Sequence, residues 1–454
     1  MEKNHPVEMG ILLLDHYDEM ADLLKQSFRL AGFTGPVLVL EDKGFLPADV
    51  LSIFRWFCQD VGSKPTKTYR WRHAGWQVGN PRYFNQIELP DYWEISGNNN
   101  GAEIHDLHHL RGRIFYARPK HRRFVSEVDW LNENGIVRCT DHYDDQGILY
   151  ARTIFDRTGK RFCRSWFDGA GHECVVENYV TGDIIVNRNH KTYIYKNRTA
   201  FAIEMMHELK AEGQRIFYNS LSTPLFISES FSSKNILFWQ EGPRNDIPGN
   251  MQMILKGQSH TSKIYVQDQA SWQKLVELGA SKEWVQPFGF IYPFVRTNQR
   301  RPHILICTNS DQIEALETLV THLPQMVFHI AAITEMSSRL LAFGKYPNIK
   351  LYPTVKTKVV DDLFETCDYY FDINHGDEIL SSVKRAFLND QLILGFANTI
   401  HHRRYIAKEH IFSDAKELCA LVSDPEKLPA ALDRQKKAAM SESVEAYRAL
   451  FDHM

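Results

Sequence analysis

Four glycines, Gly135, Gly147, Gly159 and Gly171, recur at a spacing of twelve, and each closes a polar turn: NENG, DDQG, DRTG and DGAG. Asp or Asn followed shortly by Gly supplies the positive φ that tight hairpin turns demand. Between the turns lie short β-branched and aromatic runs, IVRCTDHY, ILYARTIF, RFCRSWF and HECVVENYV. Strands of about five residues joined by such turns make an antiparallel meander. The pattern opens with YRWRH (Tyr69 to His73) and RIFYARP and runs on through DIIVN and TYIYKN, so residues 66–198 are assigned to one large, extended antiparallel sheet.

The flanks carry a different period. Asp18 to Ala31 has helical apolar spacing (Met20, Leu23, Leu24, Phe28), Gly32 ends it, and GPVLVLED follows as a short buried strand. After the meander, Thr199 to Ala211 reads as a helix, with RIFYN, ILFWQ and KIYVQD as strands and Ala270 to Leu278 as a further helix. The meander is thus inserted into one α/β domain, built from residues 1–65 and 199–297. A polar linker, RTNQRRP, leads to a second α/β domain over 298–454, with strands HILICT, MVFHIA, IKLYP, YYFDI and LILGF, and a charged, Ala-rich helical end. Regular alternation of apolar strands and helices implies a parallel sheet covered on both faces. The fold class is α/β: a GT-B-like pair of Rossmann-type domains with a large inserted antiparallel β-meander domain. Periplasmic-binding-like and epimerase-like bilobal proteins share this outline.

A chain of 454 residues suits two or three domains. Its net charge of -3 gives no electrostatic appetite for nucleic acid. The seven cysteines are scattered without metal-ligand or redox spacing, as expected of reduced thiols in a cytoplasmic protein. The apolar run Ile11 to Leu14 is too short for a signal peptide or a membrane span. Any membrane association is therefore expected to be peripheral, on the cytoplasmic face.

No phosphate-binding glycine loop, HExxH or GxSxG is present, and neither metal nor cofactor is expected. His105, His108 and His109 lack an acidic third ligand at zinc spacing, and they read, like His401 and His402, as solvated or hydrogen-bonded. A basic stretch runs from Arg111 to Arg123, interleaved with Phe115 and Tyr116. Strand alternation would put several of its charges on one face, either as a docking patch for an acidic partner or anionic lipid, or as a solvated sheet face that resists aggregation.

In a doubly wound sheet, ligands bind at the carboxyl ends of the strands. The loop after YYFDI reads NHGDEILSSVKRAF. Retaining GT-B enzymes commonly carry two glutamates here, seven residues apart, one for the donor sugar and one for the nucleotide ribose. With Ala386 aligned to the alanine after the second glutamate, Asp377 takes the first position and Arg385 the second. A guanidinium has donors only and cannot accept from ribose hydroxyls. CTNSD, after the domain's first strand, also lacks the Arg and Lys that neutralise a donor diphosphate. His375, Asp377, Glu378 and Arg385 are therefore read as a vestigial donor site, with no catalytic residue.

AGFTGPVLVLEDKGFLP, PRYFNQIELPDYWEI, VTGDIIVN, IFYNSLSTPLF, LFWQEGP and IPGNMQ, all between residues 31 and 252, together resemble the GtfB family. Its members are stabilising subunits of the two-component O-GlcNAc transferase of accessory Sec systems. The resemblance implies a non-catalytic chain that pairs with the catalytic subunit GtfA and binds a serine-rich repeat adhesin as acceptor, re-engaging it when partly glycosylated. A low-complexity Ser/Thr-rich chain is disordered and offers hydroxyls and backbone groups rather than apolar anchors. Trp239, Gln240, Glu241, Asn250 and Gln252 follow α/β-domain strands and are the candidates to line an acceptor cleft; loop packing is their alternative role. Arg118, Arg122 and Arg123 are the candidates for docking GtfA. Two other readings stay open: a competent retaining glycosyltransferase with an atypical donor site, and an assembly module without an acceptor groove.

Overall fold

The computed structural model describes residues 10–58, 79–231 and 234–451. Tyr69 to His73, expected to open the meander, and the expected boundary near residue 66 lie outside these residues. The chain divides into two compact units, one of residues 1–266, 270–286 and 448–454, the other of residues 267–269 and 287–447.

In the first unit the chain begins with β1 (Ile11–His16), α1 (Glu19–Leu30), β2 (Val37–Glu41), β3 (Val50–Ser52) and α2 (Ile53–Cys58). Asp18 caps α1, its carboxylate accepting from the Ala21 amide at 2.9 Å. The meander follows as β4 (Trp93–Gly97), β5 (Ala102–Asp106), β6 (His109–Tyr116), β7 (Val125–Leu131), β8 (Val137–Tyr143), β9 (Leu149–Phe155), β10 (Arg161–Phe167), β11 (Glu173–Asn178), β12 (Ile184–Arg188) and β13 (Lys191–Tyr195). The α/β half resumes with α3 (Arg198–Glu208), β14 (Ile216–Tyr218), α4 (Thr223–Ser228), β15 (Asn235–Trp239), α5 (Gly249–Leu255), β16 (Thr261–Val266), α6 (Gln269–Glu277) and β17 (Val285–Pro287). Among the described residues β17-β16-β15-β14-β1-β2-β3 form one sheet, and β13 through β4 form a ten-stranded sheet in strict chain order.

The twelve-residue repeat has a two-part chemical basis. Gly135, Gly147, Gly159 and Gly171 take φ of 74°, 74°, 82° and 85°. Three residues before each stands Asn132, Asp144, Asp156 or Asp168, whose side-chain oxygen accepts from the amides two and four residues on at 2.8–3.0 Å. The Asx side chain thus substitutes for a backbone acceptor while the glycine supplies the left-handed step.

The two faces of the meander are used differently along its length. Trp166, Ala151, Val175 and Val186, opposite one another on β10, β9, β11 and β12, pack into the core of the α/β half with Phe54 and Phe201. Ala102, Ile114 and Val128, on β5, β6 and β7, belong to the other face, because Val128 pairs with Asp141, Asp141 with Arg152, and Arg152 with Ser165 beside Trp166. They form a separate small core with Ile87, Phe84 and Leu89 from the segment preceding β4.

The second unit contains β18 (His303–Thr308), α7 (Leu316–His322), β19 (Val327–Ala332), α8 (Ser338–Leu341), β20 (Ile349–Tyr352), α9 (Thr357–Thr366), β21 (Tyr369–Asp372), α10 (Ser382–Leu388), β22 (Leu392–Phe396), β23 (Ile411–Phe412), α11 (Ala415–Val422), α12 (Leu428–Ala438) and α13 (Val444–Arg448). The parallel order β20-β19-β18-β21-β22-β23 places the topological switch between β18 and β21. RTNQRRP is less of a free linker than its polarity suggests. Arg296 and Arg301 reach the fully buried Asp368 at 2.6 and 2.9 Å, fixing this segment beside β21.

Candidate functional site

The exits of β18, β21 and β22 bring most of the predicted donor residues together. His401 places Nδ1 2.6 Å from Asp372 Oδ1 and Nε2 2.7 Å from the Gly376 carbonyl oxygen, and its amide donates to Asp372 Oδ2 at 2.8 Å. An acceptor on each ring nitrogen requires a proton on each, so the ring is an imidazolium. The hydrogen bond to Asp372 lifts its pKa to about 9 against the opposing effect of burial. Thr308 Oγ1 and the Gly376 amide both donate to Asn374 Oδ1, at 2.7 and 3.1 Å. Gly376 lies so close to the β18 loop that a Cβ would stand 2.0 Å from Asn309 Oδ1.

The remaining charges of this locus are also matched internally. Glu378 accepts from the Val383 amide in the first turn of α10 at 2.9 Å and lies 2.8 Å from His402 Nε2. His375 Nε2 is 2.6 Å from Glu314 Oε2, which also accepts from Asn398 at 3.3 Å. Three imidazoles thus face three carboxylates. Arg385 pairs with Asp361 on α9 at 2.5 Å and stands 4.2 Å over the Phe364 ring. Asp377 is exposed, and its carbonyl accepts from Asn374 at 3.3 Å. A helix N-terminus, where a phosphate is ordinarily favoured, carries the chain's own carboxylate. Beside Glu314 and Asn398 a cavity of about 470 Å³ opens at the ends of β22 and β23, with Phe396, Phe412, Asp414 and Lys416 in its lining.

The candidate acceptor residues divide. Trp239 is fully buried in the core and does not line a surface. β15 is an interior strand between β14 and β16, so all five of its residues are covered on both faces. Gln240 accepts from Asn219 Nδ2 at 3.0 Å and donates to the Met20 carbonyl at 3.3 Å, joining the exits of β14 and β15 to the first turn of α1. Asn250 donates to the Leu221 carbonyl at 2.9 Å and Gln252 to that of Ile247 at 3.0 Å. Glu241 is exposed and pairs with Arg244 at 2.8 Å. The same strand exits add residues the sequence did not single out. The Asp15 amide donates to Asn219 Oδ1 at 2.9 Å, and Ser222 Oγ to Asp15 Oδ2 at 3.1 Å, with Ser220 2.9 Å from Ser222. Their signal is positional: Asp15 directly follows the apolar run Ile11 to Leu14, and Ser220 the predicted strand RIFYN, with Ser222 two residues on.

The basic stretch does not share one sheet face. Arg111 and Arg113 are on β6, whereas Arg118, Arg122 and Arg123 lie in the connection to β7, around a short turn over Lys120–Arg122. Arg118 and Arg122 are exposed, while Arg123 donates to Asn99 Oδ1 at 2.8 and 3.1 Å and lies over Phe84. Pro119 within the run interrupts the β pattern, which explains the departure. The His108 and His109 ring centroids are 4.1 Å apart with their planes tilted by 38°, and His105 is 3.7 Å from Glu103. Among the described residues no helix is long and apolar enough to cross a membrane.

Comparison with known proteins gives these sites a context. Residues 11–57 match the GtfB N-terminal domain, 93–196 the GtfB middle domain, 198–278 the GtfB third domain and 304–440 the GftB/GlyA-F C-terminal domain. The UDP-N-acetylglucosamine–peptide N-acetylglucosaminyltransferase stabilizing protein GtfB of Streptococcus agalactiae is 40% identical over 446 residues, covering 96% of this chain and 98% of that one. A chain in a crystal structure of a GtfA/B complex bound to UDP and GlcNAc is 37% identical, with a TM-score of 0.85 over 97% of this chain and 98% of that one. S. aureus TarM, 12% identical with a TM-score of 0.50 over 97% of this chain and 99% of its own, shares the fold.

Proposed function

The chain belongs to the GtfB family of UDP-N-acetylglucosamine–peptide N-acetylglucosaminyltransferase stabilizing proteins, and from this we propose that it is the non-catalytic subunit of such a transferase, holding a GtfA catalytic subunit in its working form and presenting the polypeptide acceptor. One observation carries the reading: the donor locus is closed by the chain's own groups. Glu378 sits on the first turn of α10, Arg385 is turned to Asp361, and His401 is held between Asp372 and Gly376. A nucleoside diphosphate needs uncommitted cations, and catalysis of its departure depends on them. Here the cations are paired with carboxylates instead, and the second catalytic position offers a guanidinium where a ribose needs an acceptor.

The acceptor is a serine-rich repeat polypeptide. Asp15, Ser220, Ser222 and Glu241 at the strand exits of the first unit present hydroxyl and carboxylate groups that suit its hydroxyls and amides, with Gln240 and Asn250 holding the loops in place. Gln252 serves the same surface. Arg118 and Arg122 suit an acidic patch on the catalytic subunit, and Arg123 fixes their turn. The seven unpaired thiols support a cytoplasmic location.

The test follows UDP-GlcNAc turnover and binding of a fluorescent Ser/Thr-rich repeat peptide on the purified chain, alone and with GtfA. Peptide binding without turnover, and turnover only with GtfA present, is the expected result. Turnover by the chain alone overturns the reading.

A further inference from the structure

Among the described residues the outer face of the meander is covered over only part of its width. Ala102, Ile114 and Val128 are sealed by Phe84, Ile87 and Leu89. From β8 onward the same face continues through Cys139, Ile154, Cys163, Val176, Ile185 and Ile194, which register and alternation place on one side of six successive strands. Ile154 is 40% exposed and Ile194 69%. An outward sheet face ordinarily alternates to charged residues. Here the other outward positions include Ser165, Asn178, Asn187 and Thr192, and the charges are the matched pair of Arg152 with Asp141 at 2.5 Å and, at the far end of β11 from Asn178, Glu173, whose carboxylate accepts from Ser165 Oγ at 2.5 Å.

This face ends at an open edge. Among the described residues β13 pairs with β12 alone, in unbroken register from Arg188↔Lys191 to Ile184↔Tyr195. Edge strands are normally blunted by charge, proline or a bulge. After Lys191 the sequence is Thr192, Tyr193, Ile194 and Tyr195, with none of these devices, and Tyr193 is also exposed.

We propose that β13 and the uncharged outward residues of β12 and β13 beside it (Ile185, Asn187, Thr192 and Ile194) bind an extended, uncharged Ser/Thr-rich polypeptide as an additional antiparallel or parallel strand. The proposal rests on the acceptor-binding reading above and names a site for it. In a low-complexity chain the one regular feature is the main chain, and strand addition reads main-chain amides and carbonyls whatever the register. Small hydroxylated side chains then stand beside Ile194 on the same face, without bringing a charge next to the uncharged outward residues of β12 and β13. A charged partner would leave ions unpaired there.

The test uses the full chain and a fluorescent Ser/Thr-rich peptide free of charged residues. Ile194→Lys, at a position exposed enough to tolerate the change, is expected to weaken binding about tenfold while the melting temperature is kept. The same peptide N-methylated at alternate residues, which removes amide donors and leaves the side chains, is expected to bind as weakly. Peptide is expected to protect the amides of residues 191–195 from exchange. Unchanged affinity of Ile194→Lys without protection of β13 overturns this site and leaves the acceptor reading standing. Protection of β13 by GtfA but not by peptide assigns the edge to the subunit interface and equally overturns it. No peptide binding by the unmodified chain overturns both readings.

Discussion

His401 and Asp372 meet at 2.6 Å where β22 and β21 end, the carboxylate almost fully buried and the ring largely so. The folded-state pKa of the histidine is raised to about 9 by that bond, above an unfolded value of about 6.5. Folding therefore takes up a proton between these values. The stabilisation is complete below about pH 6.5 and is lost as pH rises through about 9. His401→Ala is expected to cost about 2 kcal/mol at pH 6.5, where it leaves Asp372 buried and unpaired, and clearly less at pH 10. Denaturant melts of both proteins across this range check it. A pH-independent difference would mean that the ring acts by packing alone.

Glu378 makes two contacts of unequal worth. The bond from the Val383 amide satisfies a helix-end donor, whereas the contact with His402 is substantially exposed and screened by solvent. Glu378→Ala is expected to destabilise by about 1 kcal/mol. A double-mutant cycle with His402→Ala should return a coupling of less than about 1 kcal/mol. Glu378→Gln keeps an acceptor for Val383 and should recover most of the loss in thermal melts.

The meander turns separate backbone strain from crowding. A Cβ on Gly135 meets nothing within 4 Å, so Gly135→Ala carries only the positive-φ penalty, about 1 kcal/mol. Gly44 also has positive φ, but there a Cβ would stand 2.4 Å from the Tyr143 carbonyl oxygen. Gly44→Ala is expected to cost at least about twice as much, and equal losses in chemical denaturation would refute the crowding argument.

Periodicity made the sheets and the insertion legible, because Asx at the first turn position and Gly at the fourth dictate hairpins locally. The closure of the donor locus was only half legible. Arg385 could be seen to be the wrong residue for a ribose, but its pairing with Asp361 depends on how α9 and α10 pack. His401 reads from the sequence as solvated or hydrogen-bonded, and it is hydrogen-bonded, but its partner Asp372 is 29 residues away and local pattern does not name it. Trp239 failed for a similar reason: position after a strand does not distinguish the last buried residue from the first exposed one. The basic run failed at Pro119, where the strand pattern stops.

Trp166 and Phe54 stack with ring centroids 3.9 Å apart and planes 2° from parallel, joining β10 of the meander to α2 of the α/β half. Arg164 lies over the Trp166 ring from the meander side and Arg198 over Phe54. Both rings are buried in the core shared by the two sheets of this unit. Trp166→Ala removes the stack and leaves a cavity where neither sheet can close in without moving the other, so a loss of about 3–5 kcal/mol is expected. Trp166→Phe retains a ring against Phe54 and should lose roughly half as much. Because the stack joins the two parts, Trp166→Ala should also raise amide exchange in β10 and α2 together. Faster exchange confined to β10 would show that the meander is held to the α/β half by other contacts, such as the Arg55–Asp144 pair at 3.4 Å.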